Sequence, residues 1–171
     1  MILGLAALGV WGAMAPASAP AQPAPSAEAL RHNSGLPLPR FASLRAGRAH
    51  LRAGPGREYP ARLTFVRAGI PLKVLKEWNV WRQVQDADGA IGWVDRALLS
   101  TERTFQITGG LRTARARPDP AAPPVWRAEP GVVGRIVACS AGWCRIDVDG
   151  RAGWIPQDHG FGTLPGEEVD G

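Results

Sequence analysis

Two four-residue stretches about 60 residues apart are closely alike, Gly92-Trp93-Val94-Asp95 and Gly153-Trp154-Ile155-Pro156. Another tryptophan precedes each of them at nearly the same distance: Trp81 stands 12 residues before the first tryptophan and Trp143 stands 11 residues before the second. Turn residues and short apolar alternations fill the intervals. Self-similarity at one period, carried by short strands and turns, indicates two copies of one small β-unit.

Strand signals dominate both copies. No segment shows a convincing 3.6-residue apolar period, so the chain is predicted to be all-β without a long helix. Gly54-Pro55-Gly56 and Asp86-Ala87-Asp88-Gly89 supply residues where the chain must reverse. The strands predicted in the first copy are Ala42–Leu44, Ala49–Arg52, Arg62–Val66, Leu72–Lys76, Trp81–Gln85 and Ala90–Val94, closed by a 3-10 turn at Arg96–Leu98.

Composition divides the chain into segments. Residues 1–21 carry no charged side chain and end in Ala19-Pro20-Ala21, a pattern typical of a secretory signal peptide. A disordered leader and an uncleaved N-terminal anchor are the alternatives. Residues 22–39 are rich in Pro, Ala and Ser without periodicity and are predicted to be a disordered linker. The two β-units are assigned to residues 40–101 and 103–162, and a flexible tail is assigned to residues 163–171.

A hairpin over residues 143–155 is the best-defined element. Asp149-Gly150 is a favoured two-residue turn, which sets Val148 opposite Arg151. Because side chains alternate between the two faces of a strand, counting outward from the turn gives each residue a face. Cys144, Ile146, Val148 and Ile155 are predicted on the core side, and Trp143, Arg145, Asp147 and Trp154 on the other side. The same alignment in the first copy places Val84 and Val94 inside, and Trp81, Gln83 and Trp93 outside.

Two tryptophans of each copy are thus predicted on a face that is not the main core. In one interpretation, a long loop or the other copy covers them, since tryptophan buries a large apolar area without any ligand. In the other, each pair lines a shallow groove that grips an extended peptide or a sugar. The exposure of Trp81 and Trp143 in the folded protein discriminates between the two interpretations.

The chain has two cysteines, Cys139 and Cys144. In a simple hairpin they face each other from neighbouring strands, where Cβ atoms lie about 4.5–5.5 Å apart, near what a disulfide needs. An oxidising compartment favours this bond, and its small loop gives a chain-entropy contribution of about 2 kcal/mol. Two buried free thiols are the alternative.

Positive charge is concentrated in the first copy. Residues 41–100 hold ten Arg and Lys against five Asp and Glu, a balance of +5, whereas residues 101–171 hold eight against nine, a balance of −1. Such a surface favours weak adhesion to polyanions. Nucleic acid is not expected as the partner, because an exported protein meets little of it.

No group of residues predicts catalysis or a cofactor. Cys144 is predicted to face inward from the middle of a strand, whereas a nucleophilic cysteine usually lies exposed at a helix N-terminus. The pair Cys139 and Cys144 with only His159 in addition does not make a zinc site. The sequence therefore predicts that the protein is not an enzyme and has no cofactor, no metal and no small-molecule substrate.

Both copies resemble the bacterial SH3 domain (SH3b). In the first copy the resemblance is carried by Ala49-His50-Leu51-Arg52-Ala53-Gly54-Pro55-Gly56, Trp81-Arg82-Gln83-Val84 and Gly92-Trp93-Val94. In the second it is carried by Gly142-Trp143-Cys144-Arg145-Ile146 and Gly153-Trp154-Ile155-Pro156. The whole is similar to tandem, secreted SH3-domain proteins of alphaproteobacteria over roughly residues 36–162. The resemblance implies two tandem SH3-like small β-barrels that serve in binding or targeting.

Comparison with the peptide groove of eukaryotic SH3 domains implies the site residues. The groove positions correspond to Trp143, Trp154, Pro156 and His159 in the second copy, and to Trp81, Trp93, Asp95 and Leu98 in the first. The first copy lacks the groove proline, and neither copy has the closing tyrosine. The loop that is acidic in eukaryotic domains here carries Arg52 and Arg57 with a single Glu58, and Tyr59 is a further groove candidate.

The positive charge of Arg52 and Arg57 suits a ligand with free carboxylates, such as the cell-wall stem peptide, because the guanidinium group of arginine pairs with carboxylates. The predicted function is a non-catalytic cell-envelope binding module, periplasmic or secreted, that recognises peptidoglycan or an envelope protein. The alternative is a structural interaction protein. Its two barrels would pack as one rigid unit and dock onto an envelope partner through the basic first copy.

Overall fold

The computed structural model describes residues 33–170, which form 14 strands and two 3-10 turns. The first seven strands are β1 (Arg40–Leu44), β2 (Ala49–Arg52), β3 (Ala61–Phe65), β4 (Pro71–Trp78), β5 (Trp81–Gln85), β6 (Ile91–Asp95) and β7 (Leu99–Ser100). The next seven are β8 (Thr104–Ile107), β9 (Arg112–Arg115), β10 (Pro124–Ala128), β11 (Val133–Ser140), β12 (Trp143–Val148), β13 (Arg151–Pro156) and β14 (Gly160–Phe161). The 3-10 turns are Arg96–Leu98 and Gln157–His159.

The two copies share one strand order. The first sheet runs β3-β2-β6-β5-β4-β1-β7, and the second runs β10-β9-β13-β12-β11-β8-β14, so each strand is matched seven strands later. The six strands predicted for the first copy lie within two residues of those observed. The prediction of an all-β chain with two tandem SH3-like barrels is therefore confirmed.

Each barrel encloses its own core, built from the inward-facing residues of its strands. The first core consists of Leu44, Ala49, Leu51, Phe65, Leu72, Val74, Val84, Val94 and Leu99. The second consists of Phe105, Ile107, Ala114, Trp126, Ala128, Ile136, Cys139, Cys144, Ile146 and Ile155. The tryptophans predicted on the outer face belong to neither core.

Strands β12 and β13 pair in the predicted register. Val148 lies opposite Arg151, and Trp143 lies opposite Pro156. The turn residue Asp149 has φ of 51° and the glycine after it has φ of 82°, the left-handed conformations that this two-residue turn requires. Cys144, Ile146 and Ile155 are buried, whereas Trp143 and Trp154 are half-buried on the other face.

The β4–β5 hairpin and the β11–β12 hairpin are stabilised by different interactions at equivalent cross-strand positions. In the second barrel, Cys139 and Cys144 lie directly opposite each other and form a disulfide. At the equivalent pair of the first barrel, Glu77 lies opposite Arg82. These two side chains are at most 5% exposed and form a salt bridge of 3.2 Å. A covalent link and a buried ion pair thus hold equivalent positions.

The barrels contact each other through an aromatic pair and an arginine. The ring of Phe41 in β1 meets the ring of Phe161 in β14 edge to face, with 4.9 Å between the centroids. Arg103, in the connection between the barrels, lies 5.8 Å above the centre of the Phe41 ring. A cation over an aromatic face is attracted by the ring electrons, so this arginine favours the contact.

The segment after residue 162 differs from the predicted flexible tail. Glu167 accepts hydrogen bonds from Arg103 at 2.7 and 3.0 Å. Val169 exchanges two backbone hydrogen bonds with Cys139, at 2.8 and 3.0 Å, and packs against the second core. Composition does not show these contacts, because they depend on a charge and a strand edge supplied by distant parts of the chain.

The predicted signal peptide, residues 1–21, and the linker up to residue 32 lie outside the described residues. At the end of that linker, Ser34 donates its backbone N–H at 2.7 Å and its hydroxyl at 2.6 Å to the Glu77 carboxylate. The described end of the linker is therefore fastened to the first barrel. Between residues 33 and 170 there is no helix whose length and apolar character would suit a membrane crossing.

Candidate functional site: a groove on the second barrel

A shallow groove of about 310 Å³ lies on the outer side of the second barrel. It forms where β9 and the loops beside it meet the start of β12 and the second 3-10 turn. Its lining residues are Leu111, Arg112, Thr113, Arg115, Pro120, Trp143, Pro156 and His159. The structure thus brings together three of the predicted groove residues, Trp143, Pro156 and His159.

Strand pairing places Trp143 beside Pro156. Trp143 begins β12, Pro156 ends β13, and the two residues lie directly opposite each other. Their side chains point outward because Cys144 and Ile155, the neighbours along each strand, point into the core. The chain then enters the 3-10 turn that carries His159 to the edge of the groove.

The loop between β9 and β10 forms the opposite wall. The backbone N–H of Ala116 donates to the carbonyl of Pro123 at 3.0 Å. The guanidinium of Arg115 donates to the carbonyl of Ala122 at 2.7 Å. These bonds close the loop on itself, so that Pro120 is held beside the groove.

The groove is positively charged. Its lining includes Arg112 and Arg115 and no carboxylate. Nε of Arg112 donates to the carbonyl of Thr108 at 3.1 Å, which fixes the direction of the guanidinium. An aromatic ring and a proline beside two oriented cations suit an extended ligand that carries negative charge.

His159 adds an uncharged polar group at neutral pH. Burial lowers the pKa of His159, and the positive charge of Arg112 lowers it further against a smaller opposing effect of Asp158. Its Nδ1 atom is buried and has no hydrogen-bond partner among the described residues. Nε2 is therefore the ring nitrogen through which His159 can act in the groove.

Trp154 lies beside the groove and does not line it. In the sheet it stands between Arg115 of β9 and Arg145 of β12. Residues directly opposite each other in a sheet share a face, so an Arg-Trp-Arg row crosses three strands. This row shares Arg115 with the groove and extends its positive surface.

The equivalent residues of the first barrel support its own structure. Trp81 is buried, with 9% exposure. Asp95 caps the first 3-10 turn by accepting the backbone N–H of Ala97 at 2.9 Å. Leu98 packs against the first core, and Trp93 is half-buried. Trp81 is therefore covered by other parts of the protein, as in the first interpretation of the tryptophan pairs, whereas Trp143 faces a groove.

The predicted loop residues of the first barrel contact one another. The guanidinium of Arg52 donates to the backbone carbonyls of Arg57 at 3.1 Å and Tyr59 at 2.7 Å. The Tyr59 ring lies against Gly54, where a Cβ atom would come within 2.4 Å of it. Arg52 thus shapes the loop, while Tyr59 and Arg57 remain exposed.

Sequence reasoning missed five lining residues, Leu111, Arg112, Thr113, Arg115 and Pro120. One signal was available: β2 aligns with β9, which places Arg115 at the position of the predicted Arg52. Arg112 gave no such signal, because its counterpart is the core residue Ala49.

Metal ligation has no support in the described region. Among residues 33–170, no three His, Cys, Asp or Glu side chains are placed to hold a metal ion. Cys139 and Cys144 are joined to each other and so do not act as thiolate ligands.

Fold, repeat and groove together define a tandem of small SH3-like barrels with an aromatic groove on the second barrel. The family model for the bacterial SH3 domain matches residues 45–101 and again residues 111–159. These two spans coincide with the two barrels. The chain belongs to the bacterial SH3 domain family.

Several solved structures are similar in part. The NlpC2 protein of Trichomonas vaginalis is 14% identical over 73% of this chain and 48% of its own, with a TM-score of 0.34. NlpC1 of the same organism is 14% identical over 75% and 48%, with a TM-score of 0.34. An NlpC/P60 family protein of Bacillus cereus is 10% identical over 71% and 55%, with a TM-score of 0.33. The chain thus spans about half the length of these proteins. A search of curated proteins finds no match.

Proposed function

We propose that the protein is a non-catalytic module of the cell envelope whose second barrel binds peptidoglycan through its stem peptide. The groove supports this proposal, since Trp143 and Pro156 lie beside Arg112 and Arg115 and no carboxylate side chain lines the groove. Aromatic and proline side chains hold an extended chain by apolar contact, and arginine pairs with carboxylates. Stem peptides are short, extended and rich in free carboxylates.

A periplasmic or secreted location belongs to this proposal. The uncharged residues 1–21 would act as the export signal. The disulfide between Cys139 and Cys144 supports an oxidising compartment, because such bonds persist there and are rare in the cytosol.

Trp143→Ala is expected to remove most binding to purified sacculi. The indole is the largest apolar side chain that lines the groove, and truncating such an anchor costs about 2 kcal/mol or more, roughly thirtyfold in Kd. Co-sedimentation with sacculi at low and high salt measures the loss. Leu111→Ser is a second groove variant, and it keeps the fold because Leu111 is 59% exposed.

Trp78→Ala is the matched control. Trp78 is 40% exposed at the end of β4 in the first barrel, outside the groove, so its loss should leave sedimentation unchanged. Failure of the unaltered protein to sediment, or sedimentation of the two groove variants at the unaltered level, refutes the peptidoglycan proposal.

A second candidate function is structural: the paired barrels dock onto an envelope protein through the basic first barrel. The contact between Phe41 and Phe161 and the charge of the first copy favour it. Binding of an envelope fraction would then be lost at high salt and weakened by Arg48→Gln with Arg62→Gln, two exposed arginines of the first barrel. Trp143→Ala would leave such binding unchanged, which separates this function from the first.

A further inference from the structure

The two barrels differ at one corner of the groove. In the first barrel, the residue after β1 donates its backbone N–H to the carbonyl of Leu98. In the second barrel, the residue after β8 donates its backbone N–H to the carbonyl of His159. Strands β2 and β9 align so that Ala49 is equivalent to Arg112. Ala49 is 3% exposed, and Leu98 packs against the same core. Two apolar side chains of the first barrel are thus replaced by a guanidinium and an imidazole in the second.

Both polar groups line the groove and have donors that are not used within residues 33–170. Arg112 is held through Nε, and its two terminal nitrogens make no hydrogen bond or ion pair within residues 33–170. For His159, the buried Nδ1 has no partner in that range. A buried N–H without an acceptor is rare, so the proton of the neutral ring belongs on Nε2. Nε2 is then the donor that a ligand in the groove can use.

We propose that Arg112 and His159 form a carboxylate-binding corner, so that the second barrel selects ligands with a free carboxylate and the first barrel does not. This inference rests on the proposed function and names the chemical group that the groove reads. A guanidinium offers two parallel N–H groups that match the two oxygens of a carboxylate. Nε2 of His159 supplies a further donor, and Arg115 adds positive charge in the same groove.

Carboxylate binding at this corner has a consequence for pH. A negative charge beside the imidazole raises the pKa of His159 above its value in the empty groove. The charged groups that face this ring are Arg112 from β9 and Asp158 from its own turn, and Arg115 shares the groove. Binding therefore takes up a proton between the two pKa values, and affinity rises as the pH falls through that range.

The test uses the full chain and two synthetic stem tripeptides, alanyl-γ-glutamyl-diaminopimelate with free carboxylates and the same peptide with its carboxylates amidated. Tryptophan fluorescence gives the two affinities, and an NMR titration of the His159 ring gives its pKa with and without peptide. We expect the acid form to bind at least about tenfold more tightly than the amide, the difference that one charge-assisted hydrogen-bonded pair provides.

Arg112→Gln is expected to remove this preference. Arg117→Gln is the matched control, since Arg117 is an exposed arginine of the neighbouring loop and the same charge is lost. Arg112→Ala with His159→Leu gives the second barrel the residue types that the first barrel has at these positions, Ala49 and Leu98. This double variant should bind acid and amide alike.

Equal affinity of the unaltered protein for acid and amide overturns the proposal, as does an equal effect of Arg112→Gln and Arg117→Gln. If Arg112→Gln loses the preference for the acid peptide but the unaltered protein does not sediment with sacculi, the carboxylate-binding corner is upheld and the peptidoglycan proposal is refuted. If binding to sacculi requires Trp143 but is unchanged in Arg112→Gln, the peptidoglycan proposal is upheld and the carboxylate-binding corner is refuted.

Discussion

Glu77 carries a buried charge at the end of β4. Its carboxylate accepts a hydrogen bond from Arg40 at 2.9 Å and lies 3.2 Å from Nε of Arg82. Burial alone would raise the pKa of Glu77, but the hydrogen bonds from Ser34 and then the charges of Arg82 and Arg40 outweigh burial and hold the pKa below its usual value. Burial also lowers the pKa of Arg82, which stays protonated as guanidinium groups do. The charges of Glu77 and Arg82 each favour the charged form of the other.

Glu77→Gln is expected to reduce the free energy of unfolding by about 3 kcal/mol at neutral pH, because the buried guanidinium of Arg82 loses the favourable charge of Glu77. The folded-state pKa of Glu77 lies below the ordinary value of 4.5. The stabilisation is therefore full above that value and is lost as the pH falls through the folded-state pKa. Urea unfolding from neutral to acid pH measures the difference between the two proteins.

That difference should shrink on acidification. Glu102→Gln is the control, since Glu102 is exposed and its loss should leave stability unchanged. A gap between Glu77→Gln and the unaltered protein that stays constant into the acid range would show that the Glu77 charge is not what stabilises the hairpin.

At the scale of the strand, the glycine before each repeated tryptophan marks a close crossing. A Cβ atom on Gly92 would lie 2.7 Å from the carbonyl oxygen of Arg52. On Gly153 it would lie 2.8 Å from Cβ of Ala114 and 2.9 Å from the Trp126 indole nitrogen. Glycine lets β6 approach β2 and lets β13 approach β9. The Gly-Trp pairs of the sequence therefore reflect a steric requirement of the fold.

Gly153→Ala is expected to destabilise the protein by about 1–3 kcal/mol, because the added methyl overpacks the crossing. Gly92→Ala should act in the same way in the first barrel. Thermal unfolding measures both, with Gly110→Ala as the control, where an added Cβ meets nothing within 4 Å. If Gly153→Ala has the same melting temperature as the control, β13 and β9 do not approach each other as closely as the structure indicates.

At the scale of the whole molecule, the segments outside the two repeats close the barrels. Ser34 bonds to Glu77 in the first barrel, and Val169 bonds to Cys139 at the equivalent position of the second. Glu167, in the same C-terminal segment as Val169, pairs with Arg103 in the connection between the barrels. The C-terminal segment therefore joins the second barrel to the inter-barrel contact.

Deletion of residues 163–171 is expected to weaken both attachments. Hydrogen–deuterium exchange should show the amide of Cys139 exchanging about tenfold faster, since its acceptor, the carbonyl of Val169, is lost. The amide of Val84 in the first barrel, at 0% exposure, should keep its protection. Deleting only residues 170–171 leaves these contacts intact and serves as the control. Unchanged exchange at Cys139 after the longer deletion would contradict this account.

Sequence reasoning was accurate where geometry is local. The Asp149-Gly150 turn fixed the register of β12 and β13, because each pair outward from a two-residue turn follows by counting. It failed where partners are distant. Ser34 and Glu77 are separated by 43 residues, and Arg103 and Glu167 by 64. Nothing in the composition of either flanking segment indicates these partners.

Two strand-built units, their turns and the inward face of each strand were determined by the sequence itself, because period-two alternation and turn residues act over a few positions. Only the tertiary structure decided how far each outward-facing tryptophan is covered. Trp81 and Trp143 occupy equivalent positions, yet Trp81 is buried and Trp143 borders a groove. Alternation tells which face a side chain takes, but its exposure depends on which distant segments fold over that face.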